Sequence, residues 1–158
     1  CMSIVPWSSV MSVGNELIDS QHRFLLGVIN EVYAGVIFGR SVEIFRHEYP
    51  KLLEYANVHF ATEEAFMKAA GYDGLAQHEQ KHQELRAKLN EMGNSLNDFD
   101  EEPQAYLQIC TFLNNWLTSH MMAEDQGYVE SIAMLDADIV DSLISKYDIS
   151  PKSPKFTI

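Results

Sequence analysis

The chain has 158 residues, a mass of 18.0 kDa and a formal net charge of −12, from 11 lysines and arginines against 23 aspartates and glutamates. That length is about one domain with its own core. The acidic balance excludes a basic nucleic-acid face and an electrostatic hold on anionic membranes.

Cys1 and Cys110 make no disulfide framework, which points to a reducing, cytoplasmic compartment. Cys110 sits in an apolar helical pattern and reads as a small core residue. Cys1 precedes Met2, which has the look of a natural start. No signal-peptide pattern is visible. The longest apolar stretch, residues 24–39, contains Asn30 and Glu31 and is too short to span a bilayer. Six histidines are the feature to follow.

No strand alternation runs through the chain; what recurs is the 3-4-3-4 march of one buried helical face. After an arm over 1–15, the first helix is expected at 16–38, with Ile18, His22, Leu25, Ile29, Val32 and Val36 on its stripe. Gly39 ends it, and Ser41 can cap the next. The second, at 42–70, carries Leu52, Tyr55, His59, Glu63 and Phe66. Pro50 should kink it, or the helix starts near Pro50. The third, at 75–97, carries His78, His82, Leu85, Leu89, Met92 and Leu96. Residues 94–102 are polar and acidic, and Pro103 suits the first turn of a fourth helix at 103–124. Its stripe is Tyr106, Cys110, Leu113, Leu117 and His120. A short fifth helix is expected at 137–147, capped by Asp136, and the end from Ser150 to Lys155 is expected to be extended or loosely ordered. Such a pattern predicts an all-α fold, an antiparallel up-down four-helix bundle with an N-terminal arm and a C-terminal extension over 129–158.

The buried stripes contain His22, His59, His78, His82, His120 and Glu63. One histidine on an apolar face is ordinarily a satisfied core residue. Five in one small bundle each need a polar partner, and a metal centre satisfies them together. His59 and Glu63, and His78 and His82, are one helical turn apart. Asp125 follows His120 by five residues, about 140° around an ideal helix, so the turn there must be wide or unwound. Five imidazoles and two carboxylates exceed the four ligands of one zinc. With no thiolate, they suit two six-coordinate iron or manganese ions bridged by carboxylates.

These residues resemble the bacterial domains of the hemerythrin family. The likeness runs from Trp7 to about Tyr128, through Ile18-Asp19-Ser20-Gln21-His22, His59-Phe60-Ala61-Thr62-Glu63-Glu64, Gly71-Tyr72, His78, His82, and Trp116-Leu117-Thr118-Ser119-His120 with Asp125. It implies two iron ions with an oxo or hydroxo bridge. By carry-over, His78, His82 and His120 fill the sphere of one iron, His22 and His59 hold the other, and Glu63 and Asp125 bridge. The second iron keeps an open position for reversible dioxygen binding in a dry pocket lined by Trp116, Leu117 and Met121. Azide, peroxide and nitric oxide are further ligands of that position. Met121 departs from the branched aliphatic residue common there, and the last thirty residues have no placed counterpart.

The function implied is oxygen storage, delivery or scavenging rather than enzymatic turnover. A sensor or adaptor module using the same centre, with the C-terminal extension meeting a protein partner, is the alternative. A di-iron oxidase, peroxidase or nitric-oxide enzyme is the third reading. His78-Glu79-Gln80-Lys81-His82 also matches the zinc-protease pattern H-E-x-x-H, but that reading leaves His22, His59 and His120 unexplained. Glu79 and His47 read as surface residues. Glu64 reads as a neighbour on the helix face or a support for a ligand, and Asp19 and Gln21 as supports for His22 or shapers of the helix start.

Overall fold

A computed structural model describes residues 5–39, 42–96 and 102–148. Cys1, the cap expected at Ser41 and the tail from Ser150 lie outside them. The elements are a 3-10 turn at Ser9–Met11, α1 at Glu16–Ile37, α2 at Val42–Ala69, α3 at Leu75–Ser95 and α4 at Pro103–Met122. A second 3-10 turn at Asp125–Tyr128 leads into α5 at Val129–Ala133 and α6 at Ala137–Tyr147. No strand occurs among the described residues. Among the described residues no helix is long and apolar enough to cross a membrane.

Local chemistry sets the helix ends. Asn15 caps α1 by accepting the Ile18 N–H at 3.1 Å. Gly71, at φ +65°, ends α2: the Tyr72 N–H reaches the Met67 carbonyl at 3.0 Å and the Gly71 N–H the Lys68 carbonyl at 3.1 Å. That left-handed turn is the one a glycine adopts without strain. Pro103 opens α4, where its missing N–H forfeits nothing.

Pro50 neither starts nor interrupts α2, which runs unbroken from Val42. Two features explain this. Pro50 is exposed, so its lost hydrogen bond falls where water can replace it. Buried side chains also hold the turn before it. Phe45 stacks on Tyr49 at 5.5 Å and meets Tyr106 edge-on at 5.0 Å, and the Tyr49 hydroxyl donates to the Leu89 carbonyl at 2.8 Å. Packing here overrides the propensity against proline. Asp136 occupies the N-cap position of α6, but its side chain makes no capping bond. Its carbonyl instead accepts the Ile139 and Val140 N–H groups, each at 3.1 Å.

α1 packs against α4 and α2, and α2 against α3, giving the four-helix bundle. The main apolar core runs from Met11 through Leu25, Phe45, Phe60, Leu89 and Cys110 to Met121. Burial pushes the Cys110 thiol up to about 12, as fits a core residue and not a nucleophile. A second cluster sits at the far end of α2, around Val13, Ile18, Phe66, Met67, Tyr128 and Ile132, and α6 lays Val140, Leu143, Ile144 and Tyr147 against it.

The arm is pinned to the bundle. The buried Asn114 amide accepts the Val5 N–H and donates to the Val5 carbonyl, both at 3.0 Å. Asp19 accepts the Ser12 hydroxyl at 2.5 Å and the Val13 N–H at 2.9 Å. Asp19 therefore closes the arm onto α1 and does not orient His22.

Candidate metal centre

The bundle brings all seven expected residues together. His22 comes from α1, His59 and Glu63 from α2, His78 and His82 from α3, His120 from α4 and Asp125 from the turn after it. All are buried. α4 stops at Met122, and the break at Ala123 and Glu124, before the 3-10 turn that begins at Asp125, brings that carboxylate back to 3.0 Å from Nε2 of His120.

Ligand atoms of Glu63, His78, His82 and His120 lie within 4.8 Å of one another, and so do those of His22, His59 and Glu63. Both carboxylates straddle the two groups. Oε1 of Glu63 lies 3.0 Å from Nε2 of His22 and against Nε2 of His59. Its Oε2 lies 3.2 Å from Nε2 of His78 and 3.9 Å from that of His82. Oδ2 of Asp125 lies 3.2 Å from Nε2 of His22, and Oδ1 lies 3.1 and 3.0 Å from Nε2 of His78 and His120.

Several of these atoms lack an aligned hydrogen bond although fully buried: Glu63 Oε2, both Asp125 oxygens and His82 Nε2. His78 and His120 also turn Nε2 toward Nε2, 3.1 Å apart. Converging acceptors whose donors are poorly aligned are costly in a dry core, and a cation among them removes the cost. The donor set therefore fits metal, with imidazole and carboxylate and no thiolate.

Charge follows the same geometry. Burial opposes a charge on His22, but hydrogen bonds to Asp125 and Glu63 outweigh it and push the ring up to about 10. His78 is pushed up to about 9 against the same opposition, by Asp125 and Glu63. His59 and His82 are lowered, chiefly by burial. Burial would raise Glu63 and Asp125, yet the surrounding imidazoles hold both carboxyls well below their ordinary range.

Aromatic rings wall the site. Phe60 stacks on His82 at 4.2 Å and Trp116 on His120 at 4.5 Å. Leu117 and Met121 are buried. Trp116 is half-buried, and with Lys81, Phe112, Ser119 and His120 it lines a surface cavity of about 450 Å³. Tyr128 is fully buried with its ring 5.6 Å from that of His78, and burial followed by the charges of Glu63 and Asp125 pushes its phenol up. Glu79 belongs to neither histidine group. His47 is exposed and pairs with Glu48.

Three partners escape sequence reasoning in whole or part. Gln21 meets Nδ1 of His59 at 2.9 Å, not His22. Glu64 is no mere surface neighbour: its carboxylate takes Nδ1 of His82 at 2.8 Å, with Arg86 at 3.5 Å behind it. Tyr128 gave no signal beyond an aromatic near Asp125. Gln21 had one, as a polar residue on the inner side of an apolar helix.

Comparison with known sequences decides the family. The sequence model of the Hemerythrin HHE cation binding domain matches residues 13–132. The chain belongs to the hemerythrin family. Among similar curated proteins is a bacteriohemerythrin of Stenotrophomonas maltophilia, 24% identical over 137 residues, covering 83% of each chain. A bacteriohemerythrin of Clostridium acetobutylicum is 26% identical over 132 residues, 78% of this chain and 98% of the relative. One of Methylococcus capsulatus is 24% identical, covering 80% of this chain and 95% of its own. The hemerythrin match ends inside α5, so α6 lies beyond it.

Proposed function

We propose that this chain holds two iron ions and binds dioxygen reversibly, as a carrier, store or scavenger and not as an enzyme. One observation carries the reading: Glu63 and Asp125 each direct one oxygen toward each of two histidine groups. His78, His82 and His120 with two carboxylate oxygens offer five donors to one ion, and His22 and His59 with the other two oxygens offer four. A shared solvent bridge would bring these to six and five, which would leave the open position to an ion held by His22 and His59.

Two ferrous ions, once bound, would supply the electrons for dioxygen binding and recover them on release. The residues hold the ions, spread the charge of two carboxylates between them, and keep water out. Leu117 and Met121 are buried, with Trp116 against His120, and together they supply the apolar wall that such a pocket requires. Azide, peroxide and nitric oxide would compete for the same position. We read arm, bundle and extension, residues 1–158, as one cytoplasmic domain.

Anaerobic loading with ferrous iron should give two irons per chain and uptake of one dioxygen per pair, reversed under vacuum with loss of a charge-transfer band. One zinc and no iron would end the metal assignment. Irreversible oxidation on first exposure would favour the enzyme reading.

A sensor role has one observation in its favour. Tyr128 lies beside His78 and also within the cluster that seats α6. If α6 reports the state of the centre, protease protection of residues 129–148 will differ between oxidised and reduced protein, and identical protection argues for a carrier.

A further inference from the structure

The side chains behind His59 fix more than its position. Nδ1 of His59 lies 2.9 Å from Oε1 of Gln21, and the Gln21 amide nitrogen lies 3.1 Å from Oγ1 of Thr62. The Thr62 hydroxyl donates its one proton to the Val58 carbonyl at 2.8 Å. With that proton committed, Oγ1 can only accept. The amide must then turn its NH2 to Thr62 and its oxygen to His59. An amide oxygen accepts, so Nδ1 of His59 carries a proton, and in the neutral ring Nε2 keeps its lone pair toward Glu63. Gln21 and Thr62 are 1% and 0% exposed, so no water competes for these bonds.

We propose that Gln21, itself oriented by Thr62, is a positioning residue that fixes His59 in the Nδ1–H tautomer and so presents Nε2 to a metal ion, without adding charge. This rests on the reading of the cluster as a metal centre.

His82 is held differently, because its Nδ1 meets the Glu64 carboxylate. A carboxylate partner makes an imidazole a stronger donor, whereas an amide orients it and adds little electron density. The two histidine groups are thus supported unequally. An ion held by His22 and His59 would be the more electron-poor, which suits the ion that takes an anionic exogenous ligand. His22 adds nothing to offset this, since its buried Nδ1 has no partner.

The test uses the full ¹⁵N-labelled chain, metal-free and loaded with zinc, and reads the His59 tautomer by ¹⁵N shifts. Wild type should show Nδ1–H in both states. Gln21→Leu removes the acceptor and should lose that signature. Thr62→Val leaves Gln21 in place but frees its amide to turn, and should lose or mix it; Thr62→Ser keeps the hydroxyl and should restore it. Zinc affinity of the weaker site should fall roughly 10–100-fold in Gln21→Leu. In the diferric protein, Gln21→Glu should weaken azide binding by about tenfold, since added charge strengthens the His59 donor. An Nε2–H tautomer in metal-free wild type, or a Thr62→Val variant with the wild-type tautomer, would overturn the proposal. Wild type that shows Nδ1–H yet takes up no metal would retire the metal reading and leave the tautomer lock standing.

Discussion

Metal loading should expel about two protons from the side chains at pH 7, from His22 and His78, whose rings stand at about 10 and about 9 in the metal-free protein. Both protons occupy Nε2, the nitrogen that faces Glu63 and Asp125 and must bond the metal. His59 and His82 are lowered and arrive neutral, and the two carboxyls arrive ionised, so none of these four adds to the release. Removing the protons at pH 7 costs about 4 kcal/mol for His22 and about 3 kcal/mol for His78, at 1.36 kcal/mol per pKa unit. Apparent affinity should therefore sit about five powers of ten below its alkaline limit. Its logarithm should climb with a slope of about 2 per pH unit between pH 7 and 9, then about 1 up to pH 10. Zinc titration calorimetry in buffers of different ionisation enthalpy gives the proton count directly. A solvent bridge that ionises would add a further proton, so ¹⁵N shifts of the metal-free protein provide the separate check. His22 and His78 must be doubly protonated at pH 8. Neutral rings there, or an affinity independent of pH, would refute the reasoning.

Stability of the metal-free protein should peak near pH 6.5. His22 and His78 are raised on folding, so their stabilisation is full below their unfolded value of 6.5 and is lost as pH rises through about 9 and 10. His59 and His82 are lowered, and Glu63 and Asp125 are depressed, so those contributions are lost as pH falls below 6.5 and then below about 4. Thermal melts of metal-free and zinc-loaded protein check this, since loaded protein should lack the alkaline decline. Asn15→Ala removes the cap of α1 and should cost about 1 kcal/mol in a urea melt with unchanged zinc stoichiometry. Asn114→Leu removes both bonds that pin Val5 to α4, so the arm should become open to protease cleavage before Met11 while the bundle stays helical by circular dichroism.

Helical spacing carried far because most of the centre is built from pairs within one helix. His59 with Glu63 and His78 with His82 share a face whatever the fold, and the five-residue step from His120 to Asp125 requires a departure from ideal helix, met by the break after Met122. Pro50 does not mark the start of α2, because propensity is local, while the turn before it is held by Phe45 and Tyr49 packing on α3 and α4. The Asp136 cap failed similarly: the residue stands at the cap position, but its carbonyl does the bonding. Gln21, Glu64 and Tyr128 were undervalued because each meets a ring on a different element.

By itself the sequence determined four amphipathic helices, the buried side of each, and a set of five histidines and two carboxylates too rich for a bland core. Those properties depend on periodicity along one chain segment, which the residue order fixes. Tertiary structure decided which oxygen of Glu63 and Asp125 faces which histidines, and which buried partner sets each ring. These depend on how helices are rotated against one another, and that rotation is settled by the whole core packing at once.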